Sequence, residues 1–390
     1  MKTRYPIVFV HGMYGWGDAQ GINKKAPYWG GTTGSIVEYL STKGIECCAA
    51  SDGPISSAWD QACELYAQLK GTRVDYGEHH SKVFGHKRFG RTYKKPLVEN
   101  WSTEKKIHLI GHSFGGHVIR LLAHLLENGS PEEIALNRED TSPLFLGGQN
   151  DLICSISAIC SPLNGTDAYK SVVKYHLLPL LKLVTLNSTV ILGRTKLQGD
   201  FIDVHLEQMG VNTTEEIKET KRFLAVMKDL FQCKESIDND MTDKGTEELN
   251  GLISIIPSVY YFSYPFNLVG KNETGELIPK YTKNPLLRST AKLMLKTDKS
   301  LNKITVGNDG LIDVVSAMHP EKEPYKQYVQ DECIEPGMWT VMPVGIGDHG
   351  TPIGLFADKD ETHKFYDDMI ILLNSIENND CTVAGEEDSE

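Results

Sequence analysis

The chain has 390 residues, of which 40% are hydrophobic and 24% are charged, and its formal net charge at pH 7 is −12. This composition is typical of a soluble globular protein, and the length suffices for a large α/β domain with a buried core. The negative charge argues against a nucleic acid or an anionic membrane as partner, because both require clustered Lys and Arg. The eight cysteines include no C-x-x-C pair, which argues against a thiolate zinc site.

Short β-rich segments alternate with helical segments along the chain, which predicts a mostly parallel sheet covered by helices on both faces. In chain order the predicted elements are a strand over 6–10, helices over 34–43 and 59–69, a strand over 107–110, a helix over 118–126, strands over 152–159, 258–263, 304–306 and 339–344, and a helix over 362–376. The sequence contains no internal repeat and no clear interdomain linker. We therefore predict a single domain over residues 1–390, with long insertions at about 75–97 and 167–244.

The start of the chain runs directly into the first predicted strand. It lacks the small-residue cleavage site of a secretory signal, so the sequence indicates either a cytoplasmic protein or one whose signal has been removed. No apolar stretch reaches the ~18 residues that a membrane span requires. The acidic segment 385–390 is typical of a solvated end.

A G-x-S-x-G pattern, Gly111-His112-Ser113-Phe114-Gly115, lies between a predicted strand and a predicted helix. In that position it is typical of a nucleophile elbow, a strained turn that exposes the serine hydroxyl. The pattern also occurs by chance around ordinary turn serines, but the flanking periodicity favours the elbow. A nucleophilic serine needs a base, an acid that orients the base, and N–H donors for the oxyanion.

The base is predicted to be His349, which follows the last predicted strand in a Gly-Asp-His-Gly segment. His319 and His363 are the rival histidines, and we interpret both as surface residues. The acid is Asp309, in a turn after the β-rich segment 304–306, or Asp313, four residues later. Reasoning from the residues favours Asp309 and leaves Asp313 open.

The oxyanion hole is predicted from backbone N–H groups. One donor is Phe114, directly after the nucleophile, and the other is Met13, just after the first strand.

Several further segments of the sequence resemble those of a known protein family. They are Val10-His11-Gly12 with Gly15-Trp16-Gly17, Tyr28-Trp29-Gly30-Gly31, Trp59-Asp60 with Ala62-Cys63-Glu64, Val74-Asp75-Tyr76-Gly77, Gly85-His86 with Arg88-Phe89-Gly90-Arg91-Thr92-Tyr93, and Asn308-Asp309-Gly310. In combination, and over most of the chain, these segments resemble the bacterial lipase family that includes the thermoalkalophilic and staphylococcal lipases. The resemblance implies an α/β-hydrolase that acts on carboxylic esters with Ser113, Asp309 and His349 as its triad. It also selects Asp309 over Asp313.

The resemblance further implies a structural zinc ion bound by two Asp and two His. The matching positions are Asp60, His80, His86 and Asp240. Such a closed set leaves no position for a reacting water, so the zinc is expected to organise the insertion. His79 is an alternative to His80, and Asp238 or Asp243 is an alternative to Asp240.

Two further features of the family concern the surroundings of the triad. The apolar segment 167–196 corresponds to the family's lid, although a core helix has the same periodicity and Pro179 would kink it. Calcium is not expected, because the segment 350–354 after His349 lacks the glutamate of the family's calcium site.

The sequence therefore predicts a carboxylic ester hydrolase whose substrate is an apolar ester or a lipid, such as one presented at an oil–water interface. A short-chain esterase or a polyester hydrolase on the same scaffold is the close alternative. A zinc-dependent metallohydrolase and a catalytically silent binding protein are the alternatives from other classes. The sequence does not indicate an oligomeric state.

Overall fold

The computed structural model describes residues 2–168, 205, 237–300 and 307–378. Its strands are β1 (Ile7–Val10), β2 (Cys47–Ala49), β3 (Arg73–Asp75), β4 (Phe89–Thr92), β5 (Ile107–His112), β6 (Ile153–Ile159), β7 (Tyr260–Tyr264), β8 (Phe266–Asn267), β9 (Val269–Lys271), β10 (Leu277–Pro279), β11 (Tyr325–Gln327), β12 (Trp339–Val341) and β13 (Gly345–Ile346). Its helices are α1 (Ile36–Thr42), α2 (Ala58–Lys70), α3 (Glu78–Phe84), α4 (Gly115–Asn128), α5 (Pro131–Ala135), α6 (Pro143–Leu146), α7 (Ile237–Asp240), α8 (Asp243–Leu252), α9 (Pro285–Ser300) and α10 (Lys359–Asn378).

A seven-stranded sheet in the order β11-β12-β7-β6-β5-β1-β2 forms the centre of the fold. All of its neighbouring strands pair in parallel, so their carboxyl ends lie along the same edge. The register pairs Val10 at the end of β1 with Gly111 on β5, and Ile159 at the end of β6 with Tyr264 on β7. The loops that follow β1, β5 and β6 therefore meet at that edge, where ligand sites form in open α/β sheets.

Helices pack on both faces of the sheet, and successive side chains along a strand point to opposite faces. Val8 and Val10 of β1 join the hydrophobic core that contains α2 and α4, whereas Ile7 and Phe9 join the core that contains α1 and α10. Every residue of β5 is buried. The prediction of an α/β-hydrolase fold, with a mostly parallel sheet between helices, is confirmed.

Some predicted boundaries differ from the structure for local reasons. The last predicted strand, 339–344, ends at Val341 in β12, and Pro343 just beyond it has no N–H to donate to a neighbouring strand. The predicted helix 34–43 is α1, whose first turn is capped by the Ser35 side chain. Helix α9 was missed, although Asn284 before Pro285 is a start signal and its side chain accepts the Leu286 N–H.

The first insertion folds into an antiparallel pair, β3 with β4, and the short helix α3 between them. Most of the second insertion, including the predicted lid after its first two residues (169–196), lies outside the described residues, as does the predicted strand over 304–306. No helix in the described ranges is both long and apolar enough to cross a bilayer.

Candidate active site and metal centre

Ser113 lies in the turn between β5 and α4 with a φ of +56°, a conformation that is strained for a residue with a Cβ atom. Glycines on either side allow the turn to close. A Cβ atom on Gly115 would lie 2.4 Å from the Val10 carbonyl oxygen, and one on Gly111 would lie 2.5 Å from the Gly115 carbonyl carbon. The Ser113 N–H donates to the Ile159 carbonyl at 2.8 Å, which fixes the turn at the carboxyl edge of the sheet.

Asp309 and His349 are joined by a hydrogen bond in which His349 Nδ1 lies 2.8 Å from Asp309 Oδ2. The other carboxylate oxygen of Asp309 accepts the N–H groups of Leu311 and Ile312 at 2.9 and 2.7 Å. The His349 N–H also donates to the Asp309 carbonyl at 2.8 Å. Because the carboxylate only accepts, it holds the proton of the neutral imidazole on Nδ1 and leaves the Nε2 lone pair available.

The rival residues have other partners. Asp313 Oδ2 accepts the N–H of Asp167 at 3.0 Å. His319 and His363 each stack on a tyrosine ring, with ring centroids 3.6 Å apart. Among the described residues, the structure thus joins Asp309 to His349 by a hydrogen bond and gives Asp313, His319 and His363 other contacts.

The end of β1 lies against the Ser113 turn. A Cβ atom added to Gly12 would lie 2.7 Å from the Ser113 Cβ, and Met13 is the next residue in the chain after this close approach. The N–H groups of Met13 and Phe114 have no hydrogen-bond acceptor within the part of the chain that the structure describes. Within the described part of the chain, the Ser113 hydroxyl makes no hydrogen bond to His349. Hydrogen bonds between such serine and histidine side chains are often long before a substrate is bound.

Tyr28 and His112 also contact this region, and the sequence analysis named the segments that contain them without giving either side chain a role. His112 Nε2 lies 2.9 Å from the His349 carbonyl oxygen, and its Nδ1 lies 2.7 Å from the Tyr28 hydroxyl. Burial, and secondarily the nearby His349, lower the pKa of His112 well below its usual range, so the ring is neutral. Their signal was absent locally, because Tyr28 and His112 are 84 residues apart.

Cys160, at the end of β6, completes the wall of the site. The residue is fully buried, and its backbone has a φ of +48°. Its thiol lies against the Asp309 carboxylate. Burial, followed by the negative charge of Asp309, raises the pKa of this thiol well above its usual range. The thiol is therefore protonated and inert as a nucleophile at neutral pH.

A second cluster lies between α2 and the first insertion. One ligand-type atom each from Asp60, His80 and His86 lies within 4.8 Å of the other two, and His80 Nε2 is 3.7 Å from Asp60 Oδ1. His86 Nδ1 faces the Lys87 carbonyl at 3.0 Å, so it carries the proton and Nε2 has the lone pair that a metal needs. Carboxylate oxygen and imidazole nitrogen are donors that zinc accepts, and this set fits it.

Asp240 lies beside this cluster at the end of α7. Its Oδ2 accepts the N–H of Ala58, two residues before Asp60, at 2.8 Å. His80 stacks on Trp59, whereas the neighbouring His79 is outside the cluster of converging donors. Three of the four predicted ligands thus converge, and the fourth is hydrogen-bonded to the same end of α2.

The chain matches known proteins over nearly its whole length. Residues 3–382 match the model of the family described as lipase-like, C-terminal domain. Lipase 2 of Staphylococcus aureus is 33% identical over 372 residues, which are 90% of this chain and 51% of that protein. The lipase of Staphylococcus epidermidis is 32% identical over 353 residues, with 88% and 48% covered. The chain therefore spans about half the length of these curated relatives.

Solved structures agree with the sequence matches. The Staphylococcus hyicus lipase superposes with a TM-score of 0.81 at 30% identity, covering 96% of this chain and 97% of that one. EstA from Clostridium botulinum gives a TM-score of 0.78 at 33% identity, covering 94% and 87%. Lipase 1 from Pelosinus fermentans gives 0.74 at 30% identity, covering 95% and 99%. The resemblance drawn from the sequence is thereby confirmed, and the chain belongs to the bacterial lipase family of the staphylococcal type.

Proposed function

We propose that this protein is a carboxylic ester hydrolase that uses Ser113 as nucleophile, His349 as base and Asp309 as the acid that orients the base. The observation that carries the proposal is the 2.8 Å bond between His349 and Asp309, at the sheet edge where the strained Ser113 turn also lies. A serine at such an elbow, a histidine with its free lone pair and a buried carboxylate are the parts of an acyl-transfer site.

In the proposed mechanism His349 Nε2 takes the Ser113 proton while the serine oxygen attacks the ester carbonyl carbon. The resulting oxyanion is held by the N–H groups of Met13 and Phe114. The tetrahedral intermediate collapses as His349 gives its proton to the leaving alcohol, and the acyl group stays on Ser113. Water then loses a proton to His349, attacks the acyl carbon and releases the acid, and the proton returns to Ser113.

The proposed substrate is an apolar ester such as a triacylglycerol, because exposed apolar side chains lie close in sequence to the base. Ile346 is 69% exposed, Phe356 is 51% exposed, and both lie within seven residues of His349. Single exposed apolar residues are common, but those that flank a reacting group suit an acyl chain or a lipid surface.

Asp60, His80, His86 and Asp240 are the proposed holders of a structural zinc ion. When bound, zinc would link α2 to the first insertion and to α7, and no step of the reaction depends on it. A metallohydrolase, the alternative from another class, would instead lose turnover with a chelator and resist modification of the serine.

The test combines a Ser113→Ala variant with p-nitrophenyl esters of increasing acyl length, measured below and above the concentration at which each ester aggregates. We expect the variant to lose turnover while it keeps its melting temperature and zinc content. A rate that rises when long esters aggregate supports a lipase, whereas a steep preference for short soluble esters supports an esterase. An active Ser113→Ala variant would end the proposal.

A further inference from the structure

Tyr28 and His112 form a hydrogen-bonded bridge between the two loops on either side of Ser113. The Gly12 N–H lies 3.0 Å from the Tyr28 hydroxyl oxygen, that hydroxyl lies 2.7 Å from His112 Nδ1, and His112 Nε2 lies 2.9 Å from the His349 carbonyl oxygen. One end of the bridge is therefore the residue before Met13, and the other end is the backbone of His349 itself.

The direction of each hydrogen bond follows from the chemistry of the partners. The His349 carbonyl can only accept, so His112 Nε2 carries the proton of the neutral ring. His112 Nδ1 is then an acceptor, and the Tyr28 O–H must donate to it. The Tyr28 oxygen in turn accepts the Gly12 N–H, so each polar atom of the bridge is satisfied in only one arrangement.

The surroundings give the bridge little freedom to rearrange. His112 is 2% exposed and lies in the last position of β5, directly before Ser113. Its ring centroid is 4.6 Å from that of His349 and 5.8 Å from that of Tyr28. A displaced His112 would move three groups together: the nucleophile turn, the base loop and the end of β1.

We infer that Tyr28 and His112 are positioning residues, which act through their hydrogen bonds to hold the His349 loop and the Gly12-Met13 segment at fixed places around Ser113. This inference rests on the proposed ester hydrolysis. Because a misplacement of about 1 Å among reacting groups can cost on the order of 100-fold in rate, the bridge contributes to kcat rather than to substrate binding.

The rate test uses Tyr28→Phe, with Tyr261→Phe as its matched control. Tyr261 is a buried tyrosine whose hydroxyl, like that of the half-buried Tyr28, accepts a backbone N–H, in this case that of Ile256 at 2.9 Å. With a soluble p-nitrophenyl ester we expect Tyr28→Phe to lower kcat by about 10- to 100-fold with KM nearly unchanged, and Tyr261→Phe to keep the wild-type kcat. Equal kcat values in the two variants would overturn the inference.

A double-mutant cycle tests whether Tyr28 acts through His112. His112→Asn keeps an acceptor for the Tyr28 hydroxyl and loses the donor to His349, and we expect Tyr28→Phe to have little further effect on kcat in that background. Effects that multiply would mean that the two residues act independently and would contradict the bridge.

The protonation of the His112 ring provides a readout that needs no activity. In the wild type we expect ¹⁵N NMR to report the Nε2–H form of His112, and the Nδ1–H form would overturn the bridge. The two proposals fail separately. A wild-type protein that is no more active than Ser113→Ala refutes the ester hydrolase, whereas an active wild type matched by Tyr28→Phe refutes only the positioning role.

Discussion

Replacing Asp309 by asparagine tests how the proposed base, His349, is held, because it changes only one carboxylate oxygen into an NH₂ group. The Asp309 Oδ1 atom accepts two backbone N–H groups, so the asparagine oxygen takes that position and its NH₂ group faces His349 Nδ1. Two donors then oppose each other. The imidazole relieves this conflict by moving its proton to Nε2, the atom that must accept the Ser113 proton.

The expected loss follows from this change of tautomer. In Ser-His-Asp sites the corresponding substitution lowers kcat by about 10⁴-fold, which is about 5 kcal/mol of activation free energy. KM should change little, because Asp309 is 1% exposed and lies behind the base, where a substrate does not reach it. The assay is steady-state hydrolysis of a soluble p-nitrophenyl ester, together with the melting temperature as a check of folding.

Asp313→Asn is the matched control, since Asp313 lies four residues away and accepts the N–H of Asp167 instead. We expect it to retain most of the wild-type kcat. A larger loss of kcat in Asp313→Asn than in Asp309→Asn, with both proteins folded, would refute the reasoning.

Two further predictions concern stability. Zinc added to chelator-stripped protein should raise the free energy of unfolding by about 4 kcal/mol when free zinc is 1,000-fold above its Kd, and Asp60→Asn should lose most of this gain; equal melting curves with and without zinc would contradict the site. Burial lowers the pKa of His117 to about 3. Between pH 6.5 and 4.5 this histidine therefore binds a proton in the unfolded chain but not in the native state. The free energy of unfolding consequently decreases as the pH is lowered. Urea titrations should show that the free energy of unfolding of the wild type decreases by about 2 to 3 kcal/mol more over that pH interval than that of His117→Gln. Equal decreases in the two proteins would contradict this prediction.

The sequence predicted what depends on local patterns. The elbow follows from a glycine-flanked serine between a strand and a helix, and the parallel sheet follows from alternating β-rich and helical segments. Some element boundaries depend on single residues, as at the end of β12, where Pro343 follows shortly after Val341. The short edge strand β11 carried no alternating pattern, because its residues are largely exposed.

The remaining features depend on contacts between distant parts of the chain. Position in the sequence favours Asp309 and leaves Asp313 open, whereas in the fold the two carboxylates meet different groups: Asp309 meets His349, and Asp313 meets the Asp167 N–H. The cluster of Asp60, His80 and His86 was found by resemblance, since spacing alone gives no metal signature. Tyr28 and His112 lie in segments that resemble the family, but no pattern in the sequence indicates that their side chains are hydrogen-bonded to each other and to the His349 backbone.

Covalent labelling with a p-nitrophenyl phosphonate tests the central claim most directly, because the reagent phosphonylates an activated serine. Intact mass and peptide mapping should find a single phosphonyl group on the peptide that carries Ser113, formed in step with the loss of ester hydrolysis. The Ser113→Ala protein should remain unlabelled. Full activity after exhaustive treatment, or inactivation with the adduct on another residue, would contradict the account.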